Sequence, residues 1–493
     1  MKEKLAKGVL WLSGAKVLVN IMALSSTFVL ARLLTPEDFG LVAIATTLLS
    51  VIGPVTELSL GSALIQHQNP TDEHYHSAWT MSVLRALVVG GLFCAAGPMV
   101  ASFYKDPRLV GVMLAIGLSV AMGGFTNPKL VALTRNLEFW PSFVVAVAQK
   151  LLGFVVGVSL AVTYGSYWAL LGGTLASQLA NVWVSYYVQP YKPRFSLAHA
   201  GELWSFSVWL TLGQIVNTLN WRLDHLMVAT FLGPKSLGTY VVGDNLASLP
   251  TREAAGPIEQ TLFPGFRAVN HDRDQLVRTY QRAQALISAI ALPVGFGCAV
   301  TASTLVPLVL GPKWPEAVLI VQVLSCIFAL QTLSSTVHPL ALAEGATKMM
   351  FQRDLVAFVI RVPIIIFGMW AGGMVGIVFA RMVTGLIAIA INMYVVKQLI
   401  GLTLVQQVGN TTRSLISVFL MSGCLLAAAH VAGTATTTPA RLGFLLAMGA
   451  LGAAVYLASH FLIWRLAGKP TGAETDLLGF GRKAYGKLAT RLI

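Results

Sequence analysis

The sequence predicts an all-α polytopic membrane protein with about fourteen transmembrane helices, in two six-helix lobes plus two C-terminal helices. Three observations predict it. The chain of 493 residues is 56% hydrophobic and 11% charged, where soluble domains carry about 25% charge. Apolar runs long enough to cross a bilayer recur along its whole length. One turn is written twice, as LARLLTPEDFGLVAIATTLLS from Leu30 and as VATFLGPKSLGTYVVGDNLAS from Val228.

The runs fall at 9–33, 39–65, 77–103, 108–134, 139–163, 166–189, 203–231, 236–264, 281–310, 315–343, 350–371, 373–396, 413–433 and 441–465. Pro54, Pro128, Pro250, Pro293 and Pro339 lie inside them, which fits the kinked helices of a transporter. The first segment reads as a retained helix and not a cleaved signal, because Lys16 interrupts its apolar run and it continues to Leu34. The loops are short, leaving no room for a sizeable catalytic domain. No phosphate loop, nucleophile–His–acid set or metal-ligand spacing is present, so neither an enzyme nor a cofactor is expected. Cys94, Cys298, Cys326 and Cys424 stand isolated in apolar segments, with no disulfide framework or zinc spacing.

The net charge of +14 is a topology signal, not a nucleic-acid footprint. With the N-terminus inside and helices alternating, inner segments and the tail hold 20 Lys and Arg against 6 outside. This places both termini in the cytoplasm. The weak place is QHQNPTDEHYH, between the second and third runs, which has no Lys or Arg. Beyond Thr475, Leu477, Gly481, Tyr485, Leu488 and Leu492 share one helical face and Lys483, Lys487 and Arg491 another. That pattern suits a basic amphipathic helix on the anionic inner membrane surface.

The repeated turn has an offset of 198 residues, which pairs Pro36 with Pro234 and Gly40 with Gly238. The same offset pairs Ser13, Lys16 and Asn20 with Thr211, Gln214 and Thr218, each set at i, i+3 and i+7 on one helix face. Six runs precede the second copy's first helix, so the repeats are parallel. The expected divisions are 1–200 and 201–400 for the lobes and 401–493 for the last two helices with the tail. Parallel lobes imply a substrate path between them and alternating access by rocking.

Eight cations remain at membrane depth: Lys16, Arg85, Lys129, Lys150, Arg222, Arg252, Arg361 and Arg381. Each is tolerated there only by facing a wet cavity, pairing or snorkelling. Lys16, Arg85 and Lys150 are the best cavity candidates. Arg222, near Asp224, fits a structural pair or a transport role equally. A cationic cavity favours an anionic headgroup such as a pyrophosphate-linked glycan, where a cationic drug would want carboxylates. Asn20, Gln178, Asn181, Gln214, Gln331 and His338 could meet sugar hydroxyls, or simply join helices. Glu57 and Asp224 are candidates for ion coupling, and His225 and His338 for titration with a proton gradient.

The segments LARLLTPEDFGLVAIATTLLS…ELSLGSALIQ, LDHLMVATFLGPKSLGTYVVGDNLASLP and PIEQTLFPGF closely resemble oligosaccharide flippases of the Wzx type. The resemblance runs through most of the first 400 residues. It implies the multidrug/oligosaccharidyl-lipid/polysaccharide exporter superfamily, with two lobes in a V around a cationic cavity. It further implies transfer of a polyprenyl-pyrophosphate-linked oligosaccharide from the inner to the outer leaflet of the cytoplasmic membrane. Implied partners are that lipid-linked oligosaccharide, membrane lipids, and a polysaccharide polymerase and glycosyltransferases. A proton or sodium gradient is the implied drive. The cationic positions lie outside the matched motifs, so no binding residue is carried over. An ion-coupled multidrug exporter on the same fold and a membrane glycosyltransferase or polymerase are the alternative readings.

Overall fold

The computed structural model describes residues 2–56, 60, 64, 70–135, 138, 140–432 and 437–469, with backbone alone for 2–17, 54–56, 134–135 and 202–217. Glu57 and the expected amphipathic tail lie outside the described residues, as do the side chains of Lys16 and Gln214. All regular secondary structure among the described residues is helical. Its helices are α1 (Lys2–Leu33), α2 (Pro36–Thr56), α3 (Asp72–Tyr104), α4 (Arg108–Gly123), α5 (Leu130–Arg135), α6 (Trp140–Tyr164), α7 (Trp168–Val188) and α8 (Ala200–Val269). Then follow α9 (Arg273–Val309), α10 (Ala317–Gln331), α11 (Val337–Ala343), α12 (Thr347–Ile400), α13 (Leu404–Ala432) and α14 (Thr438–Leu466). Among the described residues, eight helices are long and apolar enough to cross a membrane, with shorter apolar ones at Leu18–Leu33 and Arg108–Gly123.

The chain divides into two compact units, Met1–Val241 and Val242–Ile493. Several expected runs appear as halves of longer helices. In α8 the bend is at Gly233, whose φ of 78° and ψ of 179° suit glycine alone. The chain turns back at this bend: Tyr240 Oη donates to Asp224 Oδ2 at 2.6 Å, although 16 residues of straight helix would span roughly 24 Å. In α12 the bend is at Gly372 and Gly373, and the halves meet where Gly368 and Gly376 pack backbone to backbone. The expected run at 315–343 is α10, a 3₁₀ turn at Thr332–Ser334 and α11. The carbonyl of Leu333 in that turn accepts from Gln284 Nε2 at 2.7 Å, which satisfies a buried group the broken helix would strand.

In the first unit, the repeated turn explains its own sequence. Thr35 caps α2, with Pro36 at the first helical position, where its missing N–H costs nothing. Asp38 Oδ2 accepts from the Thr35 N–H at 2.9 Å, and Thr35 Oγ1 accepts from the Asp38 N–H at 3.3 Å. This reciprocal arrangement is a capping box. Asp38 Oδ1 also accepts from the Tyr167 N–H at 3.0 Å, tying the start of α7 to the turn. Arg108 bridges Glu37 and Asp106.

The two copies of the turn touch. A methyl group on Gly40 would overlap the Pro234 carbonyl, and one on Gly238 would overlap the Pro36 carbonyl. The contact is reciprocal, copy to copy, and only hydrogen at both positions allows it.

In the second unit, Phe266 and Tyr280 stack at 6.3 Å in a core with Leu276, Ile287, Leu340 and Val396. Asn410 of α13 donates to Gln281 O at 2.7 Å and Gln284 Oε1 at 3.0 Å on α9. The first helix beyond the expected twelve is thereby pinned to the body of its unit.

Candidate functional site

Helices α1, α6 and α7, with Phe39 of α2, line an open cavity of about 380 Å³ in the first unit, with Lys150 exposed at it. Its shape begins with glycine. A Cβ on Gly153 would sit 3.1 Å from Gly173 O, and one on Gly173 would sit 3.2 Å from Gly157 Cα. Helices α6 and α7 therefore pack backbone to backbone, the close approach that small residues permit in membranes. Residues one turn away line the space that remains. Lys150 lies one turn before Gly153, and among the described lining residues it alone carries charge. Around it stand hydroxyls: Ser26 and Thr27 from α1, Thr174 and Ser177 from α7.

The hydroxyls differ in what they offer. Thr27 Oγ1 donates to Ala23 O at 3.0 Å and Thr174 Oγ1 to Leu170 O at 2.8 Å, within their own helices. Each hydroxyl oxygen keeps lone pairs that can still accept. Lys150 supplies up to three donors and a full charge. Met22, Phe39 and Phe154 supply apolar wall. A small set of polar groups in an apolar cleft of this size is the usual form of a ligand site. It can take an anionic group on the ammonium and hydroxyl donors on the acceptors. Among the described residues no His/Cys/Asp/Glu group could hold a metal.

The structure disperses the other candidates. On α1, Asn20 is half-buried and shares a face with Ala23 and Thr27, one turn beyond the cavity. Arg85 of α3 is half-buried and reaches Gly53 O at 3.4 Å, away from the cavity. Gln178 packs its amide over Gly123, and Asn181 donates to Thr126 Oγ1 at 3.1 Å, so both face the end of α4. Arg222 Nη1 lies 3.3 Å from His225 Nδ1. Asp224 is fully buried against Tyr240, and His225 meets the same ring edge-on. In the second unit, Gln331 ends α10 beside Gly385, and His338 is exposed on α11. Arg361 and Arg381 are buried on α12, with Arg381 5.7 Å from the centre of the Phe328 ring. Lys129 pairs with Asp72 at 2.8 Å. Sequence reasoning missed the four hydroxyls and the glycine row. The available signal was Gly153-xxx-Gly157 inside an apolar run.

A family model described as "Polysaccharide biosynthesis protein" matches residues 29–319. The chain belongs to this family. As a member, it is similar to the lipopolysaccharide biosynthesis protein WzxC of Escherichia coli (strain K12), at 23% identity over 410 residues covering 81% of this chain and 82% of the relative. It is also similar to the succinoglycan biosynthesis transport protein ExoT of Rhizobium meliloti (strain 1021), at 26% identity over 350 residues covering 70% and 71%. Its fold resembles the lipid II flippase MurJ in an inward closed conformation, with a TM-score of 0.73 at 15% identity over 93% of this chain and 99% of that one. An inward-facing multidrug resistance MATE family transporter of the MOP superfamily aligns at a TM-score of 0.57 and 13% identity, covering 80% and 98%. The family expected from the two turns therefore stands, and the family member is a multi-pass, all-α membrane protein.

Proposed function

We propose that this protein is a flippase. It moves a polyprenyl-pyrophosphate-linked oligosaccharide from the cytoplasmic to the outer leaflet of the inner membrane, by alternating access, for cell-surface polysaccharide synthesis. The observation that carries the reading is the Lys150 cavity: one cation among hydroxyls, with no carboxylate among the described lining residues. That chemistry fits a phosphate or pyrophosphate beside sugar, and it lacks the anion a cationic drug would need. Family membership and relatives named for polysaccharide biosynthesis support the same reading. So does the likeness of fold to a lipid II flippase. Both termini lie in the cytoplasm on the loop charges. A proton or sodium gradient drives the cycle, and a polymerase and glycosyltransferases act beside it.

The test is made in cells lacking the protein. Lipid-linked glycan should accumulate in the cytoplasmic leaflet and surface polysaccharide should fall. Wild-type protein and Lys150→Arg should restore export, and Lys150→Gln should restore much less at equal amounts of folded protein. Normal leaflet distribution in the deletion strain would refute the reading. Recovered resistance to cationic drugs, with glycan export untouched, would replace it with the multidrug exporter.

A further inference from the structure

The segment Gln189–His199, between α7 and α8, joins the end of the first repeat to the start of the second and lies along α3 as a strap. Its hydrogen bonds to α3 fall on Glu73, His76, Ser77 and Thr80, spaced i, i+3, i+4 and i+7 on one helical face, while Phe195 packs on Trp79 and Gln189 O accepts from Asn127. Ser196 Oγ donates to Glu73 Oε2 at 3.0 Å, and the Ser196 N–H donates to Thr80 Oγ1 at 3.0 Å. The His199 N–H donates to Ser77 Oγ at 3.2 Å. Tyr191 Oη lies 2.7 Å from His76 Nδ1. The His199 ring stacks on His74, with centroids 3.8 Å apart and planes 14° apart.

His74 also closes the start of α3. The Thr71 N–H donates to His74 Nδ1 at 3.2 Å, and Thr71 Oγ1 lies 2.7 Å from the same atom. A backbone N–H can only donate, so His74 Nδ1 accepts and carries no proton. The ring occupies the place a Glu or Gln fills in the usual capping box, and unlike Gln it can be protonated. A proton on Nδ1 removes the acceptor, turns a donor against the Thr71 N–H, and puts positive charge at a helix N-terminus, where the dipole disfavours it. It also sets a charged ring against the stacked His199. His76 is different. Burial, with Tyr186, Asp72 and Glu73 nearby, pushes the Tyr191 phenol up, so it stays protonated. A phenol both donates and accepts, so protonating His76 need not break that contact.

We propose that the stacked His74–His199 pair is a proton-binding latch: neutral, it holds the strap on α3, and protonated at His74 it lets the strap go. The charged groups described around it are Asp72 and Glu73 on α3, Lys129 on the turn before α5, and Lys192 and Arg194 on the strap. Asp72 pairs with Lys129 at 2.8 Å and Glu73 accepts from Ser196. On the orientation proposed above, the latch reads cytoplasmic pH. The strap is the connection between the repeats, so its release changes the link that any rocking of one against the other must carry.

The test uses the full chain with its four cysteines replaced by serine and a nitroxide label on Lys192→Cys, an exposed strap position. Label mobility is read without transport, so the outcome does not depend on the flippase reading. Between about pH 8 and about pH 5.5 the mobile fraction should rise about twofold or more. His74→Gln keeps the cap without a titrating proton, and His199→Phe keeps an aromatic ring on the strap. The double variant, having lost the ring at 74 and with it the stack, should lose the pH response, its label equally mobile at both pH values. His76→Gln should keep the response. A pH-independent wild-type spectrum would overturn the latch, as would an undiminished response in the double variant or a response lost in His76→Gln alone.

Discussion

Replacing Gly40 with alanine sets a methyl group onto the Pro234 carbonyl, with Pro234 Cα 3.0 Å away. Replacing Gly238 does the same to the Pro36 carbonyl, with Gly40 N 2.7 Å away. Both obstacles are backbone, so no side-chain rotation relieves them and the helices must part. Overpacking of this kind costs about 1–3 kcal/mol. Alanine's better helix propensity returns up to about 1 kcal/mol, so the comparison needs a matched control. Gly265 is helical with nothing within 4 Å of its added Cβ, and Gly265→Ala supplies that baseline. Once one methyl has parted the helices, the second enters a gap already open. The double variant should then cost less than the two singles together, with a coupling of about 0.5–3 kcal/mol. Thermal unfolding of the detergent-solubilised chain reads this, at about 2–4 °C per kcal/mol for a unit of this size. If Gly40→Ala is no less stable than Gly265→Ala, or the double variant is strictly additive, the reciprocal contact is not what these glycines serve.

Lys150→Gln should lower glycan export while Lys150→Arg largely retains it, as set out above. Asn127 is buried; its amide donates to Ser185 O at 3.2 Å and Gln189 O at 2.6 Å, and its carbonyl accepts from the Lys129 N–H at 2.9 Å. Asn127→Ala should destabilise by about 1–3 kcal/mol or more for the groups left unpaired, and Asn127→Asp should lose the donors but keep the Lys129 bond, both read as thermal midpoints. Hydrogen bonding and charge from Arg108 hold Asp106 below the usual carboxylate value of 3.8. Its contribution is therefore present above that value and lost as pH falls below it. Asp106→Asn should flatten the acid-side loss of thermal stability below about pH 4, leaving the neutral range parallel to wild type.

Element positions were legible because burial in lipid demands apolar length: the expected runs coincide with described helices or their halves, except that 108–134 is α4, a turn at 124–129 and α5, and 315–343 is broken after α10. Where polar chemistry sets the boundary, hydropathy fails. The run expected to begin at 77 begins at Asp72, because Thr71 and His74 cap it and, after the exposed Asp72 and Glu73, the polar residues His74, His76 and Ser77 are buried in helix. Hydropathy therefore puts His74 and His76 in a loop and leaves His225 and His338 as the histidines within spans. Polarity within a span was also ambiguous. Lys150 stood out and does line a cavity, while Gln178 and Asn181 stood out and serve the end of α4. Composition does not reveal which neighbour a side chain will meet. The cavity's hydroxyls gave no signal, because threonine in an apolar helix commonly bonds its own preceding turn, as Thr27 and Thr174 do.

The two copies of the turn reach one geometry by different means, and this can be tested by exchanging their residues. In the first, Thr35 opens α2 and the Thr35–Asp38 box satisfies the donors the helix leaves free. In the second, the equivalent positions are Gly233 and Ser236, and Gly233 sits at φ 78° and ψ 179°. That region is essentially glycine's alone, and another residue there costs about 1–3 kcal/mol. Similarity of sequence would suggest that Gly233→Thr improves the second turn by copying the first. The backbone predicts the opposite: it should destabilise by about 1–3 kcal/mol, whatever cap it adds. Thr35→Gly, the reverse exchange, should cost only a few tenths of a kcal/mol for the cap. Thermal midpoints of the two variants decide it. If Gly233→Thr is as stable as wild type, the second turn has the freedom to adopt the first turn's backbone, and the two copies are interchangeable. If it is the costlier exchange, the repeat preserves the reciprocal Gly40–Gly238 contact while each copy is held by its own local chemistry.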